Sequence, residues 1–240
     1  MSRGDMVGLV ASYVYAFGLL FVVEAVGGRL GWPQRVTRKL THIGAGMWIW
    51  GLFALFDHWR WGVVPFATFI VLNWIFYRKQ AFKSMDSEDS SPGTIYFSLS
   101  ITILLVWLWR TGGAPDHAPL AAAAIMAMTW GDAMASLVGQ TWGRHRYTVF
   151  GHTRSWEGSA AMAVATFAAV SAVLLLMPGS ALSPASVAPA PGLALALALL
   201  TTVVATAAEA ISPAGTDNLS VPLLSGLVLY GTASLLHLGL

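Results

Sequence analysis

Cysteine is absent from the 240-residue sequence, and charged residues make up only 10% of it. Without thiols the chain has no disulfide, no thiolate nucleophile and no cysteine-based metal site. A soluble domain carries roughly 25% charged residues, so this chain has too little charge for a surface that faces water on all sides. Its formal net charge of +2 is too small to favour nucleic acid as a partner. These absences indicate a membrane protein.

Hydrophobic residues, at 56% of the chain, form runs that are long enough to cross a bilayer. A crossing needs about 20 apolar residues, and the candidate spans are 6–28, 40–57, 61–77, 94–110, 118–138, 158–177, 192–211 and 219–238. The sequence therefore predicts an all-α fold: a polytopic integral membrane helical bundle of about eight transmembrane helices, in one domain over 1–240. The acidic, breaker-rich segment 84–93 is predicted to be a solvated loop.

The distribution of positive charge predicts the orientation, because cytoplasmic loops carry an excess of Lys and Arg. Ten of the 13 Lys and Arg residues follow the first, third and fifth spans: Arg29, Arg35, Arg38, Lys39, Arg78, Lys79, Lys83, Arg144, Arg146 and Arg154. The other three are Arg3, Arg60 and Arg110. We expect the first set of loops to face the cytoplasm and both termini to face out. A site that uses a soluble nucleotide would then lie on the cytoplasmic side.

A basic segment stands where the second span begins, with Arg38, Lys39 and His42 within five residues. Cations at a helix N-terminus combine with free backbone N–H groups and the helix dipole to favour an anion such as phosphate. The same cations also suit a plain topology signal, and the residues alone leave both interpretations open.

Asp132 lies inside the fifth span, between Gly131 and Ala133. A carboxylate at such a position costs about 2.5–3.5 kcal/mol by insertion scales, so it faces the bundle interior and usually has a function. Coordination of Mg²⁺ is the simplest function, because a carboxylate is a hard oxygen ligand. The alternatives are a structural partner for a buried cation and a helix cap.

The following loop, 143–159, mixes glycines, hydroxyls and cations, with Arg144, Arg154 and Ser155 as candidate phosphate ligands. Glycines let a backbone approach phosphates closely, and Arg offers several donors in one plane. The pattern is not a Walker A loop, since G-x-x-x-x-G-K-[ST] occurs nowhere in the chain. Ser155 is also compatible with a simple helix start.

A last polar segment begins with Glu209, at the end of an otherwise uncharged run, and continues with Asp217 and Asn218 before the final span. Three oxygen-bearing side chains at one membrane edge suggest a second metal or nucleotide site. A capped helix break is the alternative, since Asp and Asn are favoured N-caps.

Four segments, RKLTHIGAG (38–46), GDAMASLVGQTWGRHR (131–146), RSWEGS (154–159) and EAISPAGTDNLSVPLLSG (209–226), resemble in order the motifs of the phytol kinase, dolichol kinase and CTP-dependent diacylglycerol kinase family. Arg154 stands where the family often has Lys, and Thr216 where many members have a second acidic residue. The middle motifs are also similar to phosphatidate cytidylyltransferase. That enzyme's closing signature is absent, and no lysine occurs in the C-terminal half.

The resemblance implies a CTP-dependent kinase that transfers the γ-phosphate to a membrane lipid alcohol, most simply a phytol-like or other prenol-type isoprenoid alcohol, among membrane lipids. Asp132 and Asp217 would hold Mg²⁺, and Glu209 would be the base or a further metal ligand. The nucleotide and its phosphates would bind Arg38, Lys39, His42, Arg144, Arg154, Ser155 and Asn218. The alternatives are CDP-lipid synthesis from CTP and phosphatidate, and a transporter with Asp132 and Glu209 in its ion path.

Overall fold

The computed structural model describes residues 1–79, 92–111, 116–213 and 215–240. Its helices are α1 (Arg3–Leu30), α2 (Gln34–Met47), α3 (Ile49–Leu55), α4 (Trp59–Lys79), α5 (Gly93–Leu108), α6 (Ala118–Met126), a π-helix (Ala127–Asp132), α7 (Ala133–Trp142), α8 (Trp156–Leu176), α9 (Pro191–Ile211) and α10 (Asp217–Leu235). A hairpin of β1 (Arg146–Val149) and β2 (His152–Ser155) precedes α8. The loop predicted over 84–93 lies almost wholly outside the described residues, as does Lys83.

Six helical stretches in the described part of the chain are long and apolar enough to cross a membrane, with α6, the π-helix and α7 forming one continuous stretch. The helix α5 is also apolar but has only 16 residues. The span predicted over 40–57 is divided between α2 and α3, which meet at Trp48. The prediction of an all-α membrane bundle is confirmed.

Successive spans run in opposite directions, so that the connections gather at two ends of the bundle. At one end the Asp5 carboxylate accepts the backbone N–H of His58 at 3.1 Å, and the Ser183 hydroxyl donates to Asp116 at 2.8 Å. At the opposite end lie the segments 31–33, 143–155, 212–213 and 215–216, and we call it the basic end. Both chain termini lie at the end away from it.

The centre of the bundle is α6, whose nine residues are all buried. Five of them are alanines, and such small side chains let α5, α8 and α10 pack closely around the helix. Directly after α6 the helix continues as the wider π-helix, which ends at Asp132. Single π-helical turns are frequent at functional sites, and no pattern in the sequence predicted this one.

The segment expected to be an irregular loop contains the antiparallel hairpin, in which Arg146 pairs with Ser155 and Val149 with His152. Its two turn residues, Phe150 and Gly151, have φ of 47° and 82°. Two-residue hairpin turns with positive φ match the right-handed twist of the strands. The hairpin brings the arginines of both strands to the basic end.

The glycines of this segment serve helix packing. A Cβ on Gly158 would lie 2.9 Å from the backbone oxygen of Ala135, and one on Gly143 would lie 2.2 Å from that of Gly139. Both distances are too short for a side chain. Gly158 is what allows α7 and α8 to approach each other, as small residues at the start of this span suggest from the sequence alone. Gly143 is required by the C-terminal turn of α7 and by Ser155, whose Oγ would lie 2.7 Å from the added Cβ.

Candidate active site

A cavity of about 390 Å³ extends from the basic end into the bundle. Its polar arm is lined by Lys39, His42, Asp132, Arg154, Glu209 and Asp217. Its apolar arm is lined by Tyr15, Leu19, Trp48, Phe66, Phe69 and Phe97. Where the two arms meet, the lining contains Thr41, Asn73 and Ser98. The cavity therefore joins a charged region to a hydrophobic one without a break.

In the polar arm, Lys39 and Asp132 form a buried ion pair, with 2.6 Å between Lys39 Nζ and Asp132 Oδ2. Lys39 is 7% exposed and Asp132 is 4% exposed. The His42 Nε2 atom lies 3.6 Å from the same carboxylate oxygen. A charge removed from water is tolerated when it is paired in this way. A cation that serves only as a topology signal stays hydrated. The burial of Lys39 therefore does not fit the interpretation of this residue as a plain topology signal.

A second cluster forms around Arg154, at the end of the hairpin. Its Nε atom lies 3.0 Å from Glu209 Oε1, and its Nη2 atom lies 3.7 Å from Asp217 Oδ2. The same Nη2 donates a hydrogen bond to the backbone oxygen of Ser212 at 3.1 Å. One guanidinium thus connects the hairpin to the end of α9 and the start of α10, which the planar, many-donor group can do and an ammonium cannot.

At the start of α10, Asp217 and Asn218 lie side by side in the cavity wall. Asp217 does not cap the helix: the N-cap position belongs to Thr216, and no side-chain cap hydrogen bond is formed there. The Asp217 carboxylate accepts the backbone N–H of Asn218 at 2.9 Å. The Asn218 side-chain oxygen is buried without a hydrogen-bond partner, an arrangement that costs free energy unless a ligand satisfies it.

The sequence is 35% identical to the phytol kinase of Synechocystis sp., in an alignment that covers 97% of this chain and 93% of that protein. The chain belongs to the polyprenol kinase family. It is also 29% identical to the chloroplastic farnesol kinase of Arabidopsis thaliana, over 69% of this chain and 56% of that one. A probable chloroplastic phytol kinase of Triticum aestivum is 28% identical over 90% of this chain and 73% of its own length.

No protein-family model matches this polyprenol kinase, and no solved structure matches it. The family resemblance inferred from the four motifs is nevertheless confirmed by the full-length relative. Membership makes the chain an enzyme, a lipid-alcohol kinase, as those motifs predicted.

Nine of the ten site residues selected from the sequence line the one cavity: Arg38, Lys39, His42, Asp132, Arg154, Ser155, Glu209, Asp217 and Asn218. Their functional roles stay predictions. Arg144 is exposed and does not line the cavity, and its role as a phosphate ligand stays a prediction. It precedes β1, whereas Arg146 lies within the strand and is part of the cavity wall.

Ser155 lines the cavity but has a local structural role as well. Its hydroxyl oxygen accepts the backbone N–H of Gly158 at 3.1 Å and so caps the N-terminus of α8. The helix start considered in the sequence analysis is therefore present. The hydroxyl hydrogen is not used by this cap, so Ser155 still has a donor for a ligand.

Asn73 was missed by the sequence analysis. It is 5% exposed on α4, and its amide nitrogen donates to the backbone oxygen of Thr94 and to the Ser98 hydroxyl, both at 2.9 Å. Its side-chain oxygen is buried without a partner. The sequence did contain a signal for Asn73, namely an amide side chain within an apolar membrane span. Polar side chains in such spans are commonly retained for contacts inside the bundle.

Magnesium is implied by the family resemblance, and the side chains present can be compared with its needs. In the part of the chain that the structure describes, no group of three His, Asp or Glu could hold a metal ion alone. Mg²⁺ in nucleotide-using enzymes is held by one or two carboxylates together with substrate phosphates. Asp217 and the unpartnered oxygen of Asn218 supply such a partial set. The polar arm thus fits nucleotide-bound Mg²⁺.

Proposed function

We propose that this polyprenol kinase transfers the γ-phosphate of CTP to a prenol-type isoprenoid alcohol at the cytoplasmic face of the membrane. The observation that carries the proposal is the joining of a charged arm and an apolar arm in one cavity. A soluble nucleotide and a membrane lipid must meet at one point for this reaction. The cavity supplies a surface suited to each of them.

The polar arm suits a triphosphate because cations outnumber carboxylates around it. Among the described lining residues the cations are Arg38, Lys39, Arg146 and Arg154, against three carboxylates. Arg side chains bind phosphate oxygens through several parallel N–H donors, and Lys39 adds a compact charge deeper in the arm. The choice of CTP over other nucleotides is supported by the motif resemblance.

In the proposed reaction the alcohol oxygen attacks the γ-phosphorus, and the bond from that phosphorus to the β–γ bridging oxygen breaks. CDP leaves with the bridging oxygen, and the hydroxyl proton passes to a carboxylate, for which Glu209 is our candidate. Phosphoryl transfer depends mainly on positioning and on neutralising charge. Mg²⁺, when bound near Asp132, Asp217 and Asn218, would neutralise part of the triphosphate charge. Lys39 and Arg154 would hold the phosphate oxygens in line.

The cytoplasmic placement is supported by the distribution of charge. Nine of the 13 Lys and Arg residues of the chain lie, among the described residues, in the helix ends and connections at the basic end, and the polar arm lies at the same end. A CTP-dependent enzyme needs access to the cytoplasmic nucleotide pool, and this orientation provides it.

The decisive experiment incubates detergent-purified protein and Mg²⁺ with γ-labelled CTP or ATP and a panel of lipid alcohols. We expect a labelled prenyl monophosphate and stoichiometric CDP. The Asp132→Asn variant should insert into the membrane and form no product, and it should unfold at a lower temperature than the wild type because Lys39 loses its buried partner. Glu157→Gln is the matched control, because Glu157 lies at the same end, pairs with His145 and is not part of the cavity wall.

Pyrophosphate release upon addition of phosphatidate, with no labelled alcohol, would instead assign CDP-lipid synthesis. Equal use of ATP would refute the preference for CTP but leave the kinase assignment in place. Full activity of Asp132→Asn would show that the buried pair is structural only.

A further inference from the structure

The apolar arm runs along the bundle axis between α1, α2, α4 and α5. Its walls are aliphatic and aromatic, with Leu19 on α1, Phe69 on α4 and Phe97 on α5. The ring of Phe97 packs against His42, with 4.8 Å between ring centroids, so the arm begins directly beside the polar arm. A hydrocarbon chain would be desolvated along this whole length while remaining attached to a group in the polar arm.

Among the lining residues contributed by α2 and its C-cap, Trp48 lies farthest from the basic end, at the break between α2 and α3. Its indole N–H donates to the Ser12 hydroxyl at 2.9 Å, and its ring stacks on Tyr15 with 4.5 Å between centroids. The Ser12 hydroxyl donates in turn to the backbone oxygen of Gly8 at 2.7 Å. The Tyr15 hydroxyl donates to the backbone oxygen of Gly44 at 2.8 Å. These bonds fix the two rings, so Trp48 forms a rigid wall.

The near end carries polar atoms that have no partner. The side-chain oxygens of Thr41 and Asn73 are buried without hydrogen bonds, and both residues line the cavity where the arms meet. Asn73 is held in place by its two amide hydrogen bonds. Its free oxygen can accept a hydrogen bond from an alcohol hydroxyl, which has one donor to offer.

The length of the arm can be read from the helix rise. From Leu20 to Ser12 on α1 the wall extends about 12 Å, and from Thr41, where the arms meet, to Trp48 it extends roughly 10 Å, at about 1.5 Å per residue. One isoprene unit has four carbon–carbon bonds along its chain, one of them double, and spans roughly 5 Å when extended. The arm therefore contains between two and three extended isoprene units.

We infer that the apolar arm is the acceptor site for one isoprenoid chain, with the hydroxyl received at Asn73 and the chain length limited by Trp48. The inference rests on the proposed function and adds to it the position and the reach of the alcohol. A lipid with two acyl chains, such as diacylglycerol, does not fit an arm of this form.

The test compares kcat/KM for geraniol, farnesol and geranylgeraniol, which have two, three and four isoprene units, and for a diacylglycerol. Each buried methylene contributes about fourfold to binding, so in the wild type kcat/KM should rise from two units to three and stop rising at four. In Trp48→Ala the ratio of the four-unit to the three-unit alcohol should increase by at least tenfold.

Ala16→Phe provides the opposite change, because Ala16 lines the arm one helical turn from Leu20. Because Ala16 lies about 6 Å from Leu20 along α1, this variant should leave room for one isoprene unit. It should lose activity on geraniol, farnesol and geranylgeraniol while retaining most activity on the one-unit alcohol 3-methyl-2-buten-1-ol, a selectivity that general misfolding would not produce. Trp74→Ala is the matched control, since Trp74 is on α4 but 51% exposed and outside the cavity wall. Its chain-length profile should equal that of the wild type.

An unchanged profile in an active Trp48→Ala, or an equal loss on every alcohol in Ala16→Phe, would overturn the inference. Phosphorylation of diacylglycerol as fast as that of farnesol would also overturn the inference. If the wild type phosphorylates no prenol at all, the proposed function itself is wrong, and this result is distinct because it needs no variant.

Discussion

Replacing Lys39 with methionine removes the cation that neutralises the buried Asp132 carboxylate. The two atoms are 2.6 Å apart, and both side chains are almost completely inaccessible to water. Methionine keeps a similar length and apolar stem, so the change deletes a charge with little change in volume. The remaining carboxylate would then lie in a low-dielectric interior, with His42 at 3.6 Å as its remaining salt-bridge partner among the described residues.

The expected loss of stability is about 3–5 kcal/mol, the usual result of removing one partner from a buried ion pair. Replacing both partners, as Lys39→Met with Asp132→Leu, removes the uncompensated charge as well. Because well-packed apolar residues often replace a buried pair without loss, the double variant should regain most of the lost stability. Phosphate transfer should be undetectable in both variants, since the proposed phosphate ligand is absent from each.

The assay combines thermal unfolding of the purified protein in detergent with transfer of labelled phosphate from CTP. Lys79→Met is the control, because Lys79 is an exposed lysine in the last turn of α4 and its loss should alter neither measurement. A double variant as unstable as Lys39→Met would refute the argument that unpaired charge causes the loss. Wild-type turnover in Lys39→Met would refute the role of Lys39 in phosphate binding.

Three further predictions concern other parts of the molecule. Asn73→Leu should raise the KM for the alcohol by about fivefold, the value of one hydrogen bond, and leave the KM for CTP unchanged; an equal change in both would contradict the acceptor role. Gly158→Ala should destabilise the protein by about 1–3 kcal/mol, as overpacking does, because the new Cβ would lie 2.9 Å from a backbone oxygen; Gly18→Ala, with nothing within 4 Å, should leave the unfolding temperature unchanged. Because the chain has no cysteine, single introduced cysteines can report the orientation through labelling with an impermeant maleimide. A cysteine at Phe150, which is 81% exposed, should be labelled only after cells are permeabilised, whereas one at Val187 should be labelled in intact cells. The reverse pattern would invert the proposed orientation.

The membrane spans could be predicted because bilayer thickness imposes a length that apolar runs in the sequence reveal directly. Asp132 and Glu209 could be selected for a related reason: a carboxylate in an apolar run is costly and is kept only for a purpose. The division of the second span at Trp48 could not be predicted. Gly44, Gly46 and Gly51 flank Trp48, but glycine is also frequent in unbroken transmembrane helices and so does not mark a break.

The contacts within the site depend on the packing of the bundle, and sequence patterns do not contain them. Lys39 and Asp132 are 93 positions apart, and nothing local to either residue identifies the other. That Arg146 lines the cavity and Arg144 does not has a similar cause, because which arginine faces the cavity is decided by the hairpin that begins between them. Asn73 was missed because it stands in an apolar span with no charged residue beside it in the sequence.

The ion pairs of the polar arm stabilise the site, but their carboxylates also compete with the nucleotide for the same cations. Lys39 and Arg154 are already engaged by Asp132 and Glu209, so phosphate oxygens must share these cations or displace the carboxylates from them. Displaced carboxylates would be unpaired in a poorly solvated interior, which is unfavourable unless each gains another cation or a proton. Under the proposed mechanism both needs would be met, since Mg²⁺ would arrive with the triphosphate and the alcohol would bring a proton for a carboxylate. The proposal therefore expects the paired cluster to bind the complete set of substrates better than either substrate alone.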